Sequence, residues 1–435
     1  MRDGSTHSAM IEQLASGAVS AEQAAKLFLE RIDRLDGGIA SFVSVNHEHA
    51  LAEARALDRY FSQHGRPVGP LHGVPFAVKD IFLTEALPTQ YNALAYAGHH
   101  PKVDAAVVRA LRAAGAVLLG KVTTVEFAGM GREPTTVHPK NPARSPGGSS
   151  TGSAAAVAAG LVPLTVGSQT GGSTLRPAAY CGIYGYKPTW GVISTEGMKP
   201  FAPSLDTVGL MADSAALLRQ AAVACGAATT NPISTGQPLR MGIYPTRYWS
   251  DAAPLIHRVF NDTAALLQKA GHQISEVQDP FTDLDLNALQ DVVMWGEGGV
   301  SVYPDSVSAD GTPDEGVATG LARSAHLSVR EICRARDRLA AARVVFDTTA
   351  ADYDVLLCPA VPDVAPIRGE GNGLAVFNRL FTALHVPCAT WPAAVDKTSG
   401  MPVGLQLVAA RGEDDAVLRA CAVMPTLNSA SESPS

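Results

Sequence analysis

Apolar residues at Ala25, Phe28, Leu29 and Ile32 recur at helical spacing behind Ser20 and Gln23, a capping-box pair, and predict an amphipathic helix over AEQAAKLFLERIDRLD. The run GVPFAVKDIF (73–82) is apolar almost throughout and bounded by Gly and Pro, which predicts a buried strand. From Asp104 to Lys121 the pattern switches from helical to strand-like at Gly115, and such alternation favours an α/β architecture. VHPKNPARSPGGSSTG (137–152) is too rich in Pro, Gly and Ser for either element and predicts a loop. A helix in SAAAVAAG and a strand in LVPLTVGS follow it.

In the second half, CGAATTNPISTGQP (225–238) reads as a linker. It precedes a strand near Leu239–Ile243, a helix from Pro254 and a strand near His272–Val277. The polar stretch SVYPDSVSADGTPDEG (301–316) reads as a loop at the mouth of a site. SVREICRARDRLAAARVVFDTTAADYD is helical in pattern, DVLLCPA and PVGLQLVAA are strand-like, and residues 428–435 have the composition of a disordered tail.

With 435 residues, 46% of them hydrophobic, the chain can bury a large core, either as two or three domains or as one large α/β unit. A net charge of −7 with no run of five like charges argues against a nucleic-acid footprint. The six cysteines form no C-x-x-C pair, and no stretch has the make-up of a signal peptide or membrane span. The expectation is a cytoplasmic protein whose partner is a small molecule, with no nucleic acid or membrane and with a second copy of the chain as a possible partner.

The candidate chemistry lies in GSQTGGSTLRPAAYCG (167–182). GSSTG (148–152) matches the G-x-S-x-G elbow and nominates Ser150, but a polar, proline-broken loop precedes it where an elbow needs a hydrophobic strand. Ser173 has that context, because a strand delivers the chain to a Gly-Gly turn. Backbone amides of Thr170, Gly171, Gly172 and Ser173 can converge there on a developing oxyanion; a plain glycine turn is the competing reading. Serine needs a base. His72 and His138 lie near recognisable motifs without an evident acidic partner. Lys79 sits among apolar residues, where desolvation lowers an ammonium pKa, although snorkelling or pairing with Asp80 would also account for it.

Lys79, Ser149 in SPGGSSTGSAAAVAAG and Ser173 in TGGS, in this order and spacing, resemble the amidase signature family. The likeness runs from the first helix through DTVGLMADS (206–214) and resumes at YDVLLCPAVP and MPVGLQLVA. It implies a single domain over 1–435, a large mixed β-sheet flanked by helices, with residues 240–345 as a variable specificity region. It also implies a Ser–Ser–Lys triad: Ser173 as nucleophile, Ser149 as bridge after a cis Gly148–Ser149 bond, and Lys79 as base, with no metal or other cofactor.

The expected reaction is hydrolysis of a small amide through an acyl-enzyme. The alternatives are the glutaminase subunit of a tRNA-dependent amidotransferase, acyl transfer to an amine, and a catalytically silent scaffold. Gln169 and Leu175 stand where many members carry Asp and Arg, and the arginine comes one place later as Arg176. This resembles the malonamidase subgroup, which implies that Arg176 binds a substrate carboxylate; a structural ion pair or helix-end role is the other reading. Thr151 and Ser153 read as helix-capping hydroxyls, Asp206 as a buried turn residue, Cys181 as core filler, and Phe377, Asn378 and Arg379 as pocket lining.

Overall fold

The computed structural model describes residues 4–231, 237–307 and 315–426; the expected tail lies outside them. Eleven strands form one sheet: β1 Phe42–Val45, β2 Pro75–Lys79, β3 Val117–Val122, β4 Leu164–Gln169, β5 Tyr184–Lys187, β6 Thr207–Ala212, β7 Arg240–Ile243, β8 Gln273–Glu276, β9 Val355–Pro359, β10 Cys388–Val395 and β11 Pro402–Val408. Their spatial order is β1-β3-β2-β4-β6-β5-β10-β11-β9-β7-β8. The sheet is mixed. β2 runs parallel to β3 and β4, β4 runs antiparallel to β6, and β10 runs antiparallel to β11. Every residue of β2, β3, β4, β6, β9 and β11 is buried, as expected of strands covered by helices on both faces. This is the α/β mixed sheet flanked by helices that the sequence predicts.

Local signals act as expected. Ser20 caps the helix Ala21–Leu35, accepting from the Gln23 amide at 3.1 Å while Gln23 Oε1 accepts from the Ser20 amide at 2.9 Å. Gly115, at φ +95°, ends the helix Ala106–Ala113 and starts the chain into β3. Helix Thr151–Ala159 is buried from Thr151 to Val157 because alanines and hydroxyls let it lie close on the sheet. Its hydroxyls do not cap it: Ser153 donates to Val166 O at 3.2 Å and Thr165 donates to Ser153 O at 3.0 Å, tying the helix to β4.

The stretch from Ser301 departs from expectation. Helix Leu286–Val307 continues through Pro304, and helix Glu315–Ala325 begins before the expected loop would end. Packing overrides local composition here: Val293, Val302 and Asp305 are buried, and Asp305 accepts from Tyr96 and Lys199. Residues 308–314 lie outside the described residues. No helix among the described residues is long and apolar enough to cross a membrane.

Candidate active site

Lys79 ends β2 with its side chain fully buried. Parallel pairing sets Phe76–Val78 opposite Leu164–Val166 and carries Lys79 beside the end of β4. Its Nζ donates to Ser149 Oγ at 2.8 Å and to Ser168 Oγ at 2.8 Å. Burial pushes its pKa down from 10.5 to about 7, against a smaller opposing pull from the Asp206 charge. An ammonium would gain from a carboxylate at hydrogen-bond distance; Lys79 has two hydroxyls there instead, so a large neutral fraction exists near neutrality. Ser149 is buried and follows a cis Gly148–Ser149 peptide bond, as the resemblance implies.

Ser173 stands between β4 and helix Leu175–Cys181 and is partly exposed. Several groups pin the turn that leads to it. Gln169 Oε1 accepts from the amides of Thr174 at 3.1 Å and Leu175 at 3.0 Å, and its Nε2 donates to Thr382 Oγ1 at 3.0 Å. Thr382 donates to Gly171 O at 2.7 Å, Gln290 Nε2 to Thr170 O at 2.9 Å, and Thr170 Oγ1 to Asp206 at 2.5 Å. The carbonyls are thus held from behind. Among the described residues, the amides of Gly171, Gly172 and Ser173 donate to no protein acceptor, which suits them to an incoming oxyanion. A Cβ on Gly172 would sit 2.7 Å from Asn378 Oδ1, so the second glycine is required sterically.

Arg176, in the first turn of the following helix, donates through Nη1 to Gly373 O and through Nη2 to Gly148 O at 2.6 Å. It therefore braces the residue before Ser149. Burial lowers its pKa to about 10, which leaves it cationic at neutral pH, and its Nε finds no acceptor among the described residues. The two candidate histidines bind backbone instead. His72 Nδ1 accepts from the Val68 amide, and His138 Nε2 lies 3.1 Å from Tyr180 O in an environment whose burial holds its pKa near 4. Cys181 is buried, and burial raises its thiol pKa, consistent with packing rather than nucleophilic use.

Sequence reasoning missed Ser168, Gln169 and Thr382 as supports of the site. Ser168 carried a weak signal, a hydroxyl beside Gln169 at the end of a largely apolar strand run. Gln290 carried none, being one glutamine on a helix more than a hundred residues from the turn that it holds.

Comparison with known proteins agrees with this geometry. The amidase family model matches residues 23–418. The glutamyl-tRNA(Gln) amidotransferase A subunit of Chloroflexus aurantiacus is 34% identical, covering 93% of both chains. That of Thermus thermophilus is 32% identical, covering 94% of both. Among solved structures, a protein complex described as vestigial and as revealing the origins of an s-triazine catabolic enzyme superposes with a TM-score of 0.86 at 31% identity, over 95% of this chain and 96% of that one. A crystal structure of an amidase gives 0.85 at 27% identity, over 95% and 97%.

These findings correct the partner expectation. The curated relatives are named as one subunit of an amidotransferase for glutamyl-tRNA, so a small amide and at most a second copy of the chain is too narrow a partner set. Fold, sequence match and site geometry agree that the chain belongs to the amidase family.

Proposed function

We propose that the chain hydrolyses the C–N bond of a carboxylate-bearing amide through an acyl-enzyme on Ser173. The observation that carries this reading is the buried Lys79 with its pKa near 7, bonded at 2.8 Å to Ser149. Ser173 Oγ attacks the carbonyl carbon while its proton passes through Ser149 to neutral Lys79. The oxyanion is received by the amides of the turn from Thr170 to Ser173. The tetrahedral adduct then collapses, the proton returns through Ser149 to the departing nitrogen, and ammonia or an amine leaves. Water repeats the sequence on the ester and frees the acid.

Glutamine belongs to this substrate class, and the names of the relatives favour it as the amide when the chain works within an assembly. Small acid-bearing amides are the second candidates, favoured by the part-exposed guanidinium of Arg379, whose helix lines the turn at Gly171. Both make the same test. Ammonia release is followed from glutamine and from succinamate, for the chain alone and with co-expressed partner subunits. Ser173→Ala should abolish turnover and labelling by a fluorophosphonate; wild-type turnover by that variant overturns the reading. Glutamine hydrolysis that appears only with partners assigns the assembly role.

A further inference from the structure

The turn before Ser173 is crowded on one flank and has room for a methyl group on another. A Cβ on Gly172 would collide with Asn378, whereas a Cβ on Gly171 would meet nothing nearer than Arg379 Cγ at 3.8 Å, Gln290 Nε2 at 3.9 Å and Met294 Sδ at 3.9 Å. Arg379 is the charged member of that flank and its side chain is 35% exposed. It comes from helix Val376–Ala383, one residue after Asn378.

The charge around Arg379 is not balanced. Its partner is Asp291 at 3.2 Å, but Asp291 also accepts from Arg323 and from Trp295 Nε1 at 3.2 Å. One carboxylate thus serves two guanidiniums. Arg176 stands near enough for the charge of Arg379 to add to burial in lowering its pKa. Arg176 itself is committed to the carbonyls of Gly373 and Gly148, which makes it a brace for the catalytic loop.

We propose that Arg379 is the specificity-determining residue that receives the substrate carboxylate, with Asp291 as its resting partner and Arg176 as a positioning residue. This rests on the reading that Ser173 is the nucleophile. A guanidinium and a carboxylate form paired, charge-assisted hydrogen bonds, which single out acid-bearing amides over neutral ones.

The test uses the full chain in two arms. In the first, kcat/KM is measured for succinamate and succinamide. Arg379→Gln should lower the succinamate-to-succinamide ratio by about 10- to 100-fold, the loss of a hydrogen-bonded charge, with the change in KM, and Arg379→Lys should recover part of it. Arg176→Gln should instead lower kcat on both substrates. Equal loss on both substrates in Arg379→Gln overturns the proposal. In the second arm, succinate binding to Ser173→Ala protein is measured by calorimetry, with and without Arg379→Gln. This arm needs no turnover, so it separates failure of the carboxylate site from failure of the nucleophile assignment. Binding that is absent, or unchanged by Arg379→Gln, overturns the proposal.

Discussion

On the proposed mechanism Lys79 acts as a base only while it is neutral, and burial holds its pKa near 7. Below that pH each unit should cost about tenfold in kcat/KM, and above it the rate should level off. A pH–rate profile checks this, and a flat profile from pH 5 to 8 excludes Lys79 as the base. Asp206 pulls the other way by favouring the ammonium. Asp206→Asn should therefore move the acid limb to lower pH, while also weakening the hold on Thr170.

At this scale Lys79 and Ser173 stand out because each breaks a local rule, an ion in an apolar strand and a serine after a Gly-Gly turn, whereas Ser149 is marked out only by the family resemblance. Gln290 breaks no such rule, since a glutamine on a helix is ordinary sequence. Arg379 was legible only as pocket lining, through the resemblance, and the tertiary fold is what sets it beside Gly171.

The helix Thr151–Ala159 sets where Ser149 stands, and its seat on the sheet leaves no room. A Cβ on Gly152 would lie 2.4 Å from both Ser41 O and Thr123 N, and the Gly152 amide donates to Thr123 O at 3.1 Å. Those neighbours are backbone and cannot swing aside. Gly152→Ala should cost about 1–3 kcal/mol of stability through overpacking. Gly171→Ala should leave stability nearly unchanged, since its nearest neighbours lie at ordinary contact distance. Denaturant unfolding of the two variants checks the pair, and equal losses would contradict the difference in space.

Element-level reading of the sequence succeeded where pattern and punctuation agreed, as at Ser20 and Gly115. It failed at Ser301–Val307, where polar composition suggested a loop and contacts with Tyr96 and Lys199 made a helix.

One sheet runs through both halves of the chain. β7 and β8, from the region expected to vary, join it through β9, and β10 joins β5 to β11. Nearly all the buried apolar residues among the described residues form one cluster, from Met10 to Met424. We expect a single cooperative calorimetric transition, with calorimetric and van't Hoff enthalpies equal. A separate transition for residues 240–345 would contradict one unit. The class of architecture was legible in the helix–strand alternation, but the strand order was not, because β5 lies beside β10 across two hundred residues of chain.

The groups of the proposed proton route come from β2, the loop before Thr151 and the turn after β4, all in the first half, while Gln290, Asp291, Arg379 and Thr382 belong to helices of the second half. The halves are nevertheless not separable, because Gln290 and Thr382 hold the carbonyls of Thr170 and Gly171 in that turn. A crossover near residue 225 that brings in a second half without these two side chains is expected to lose the power to break the bond along with the old choice of amide, so a lineage must inherit both stretches of the gene together.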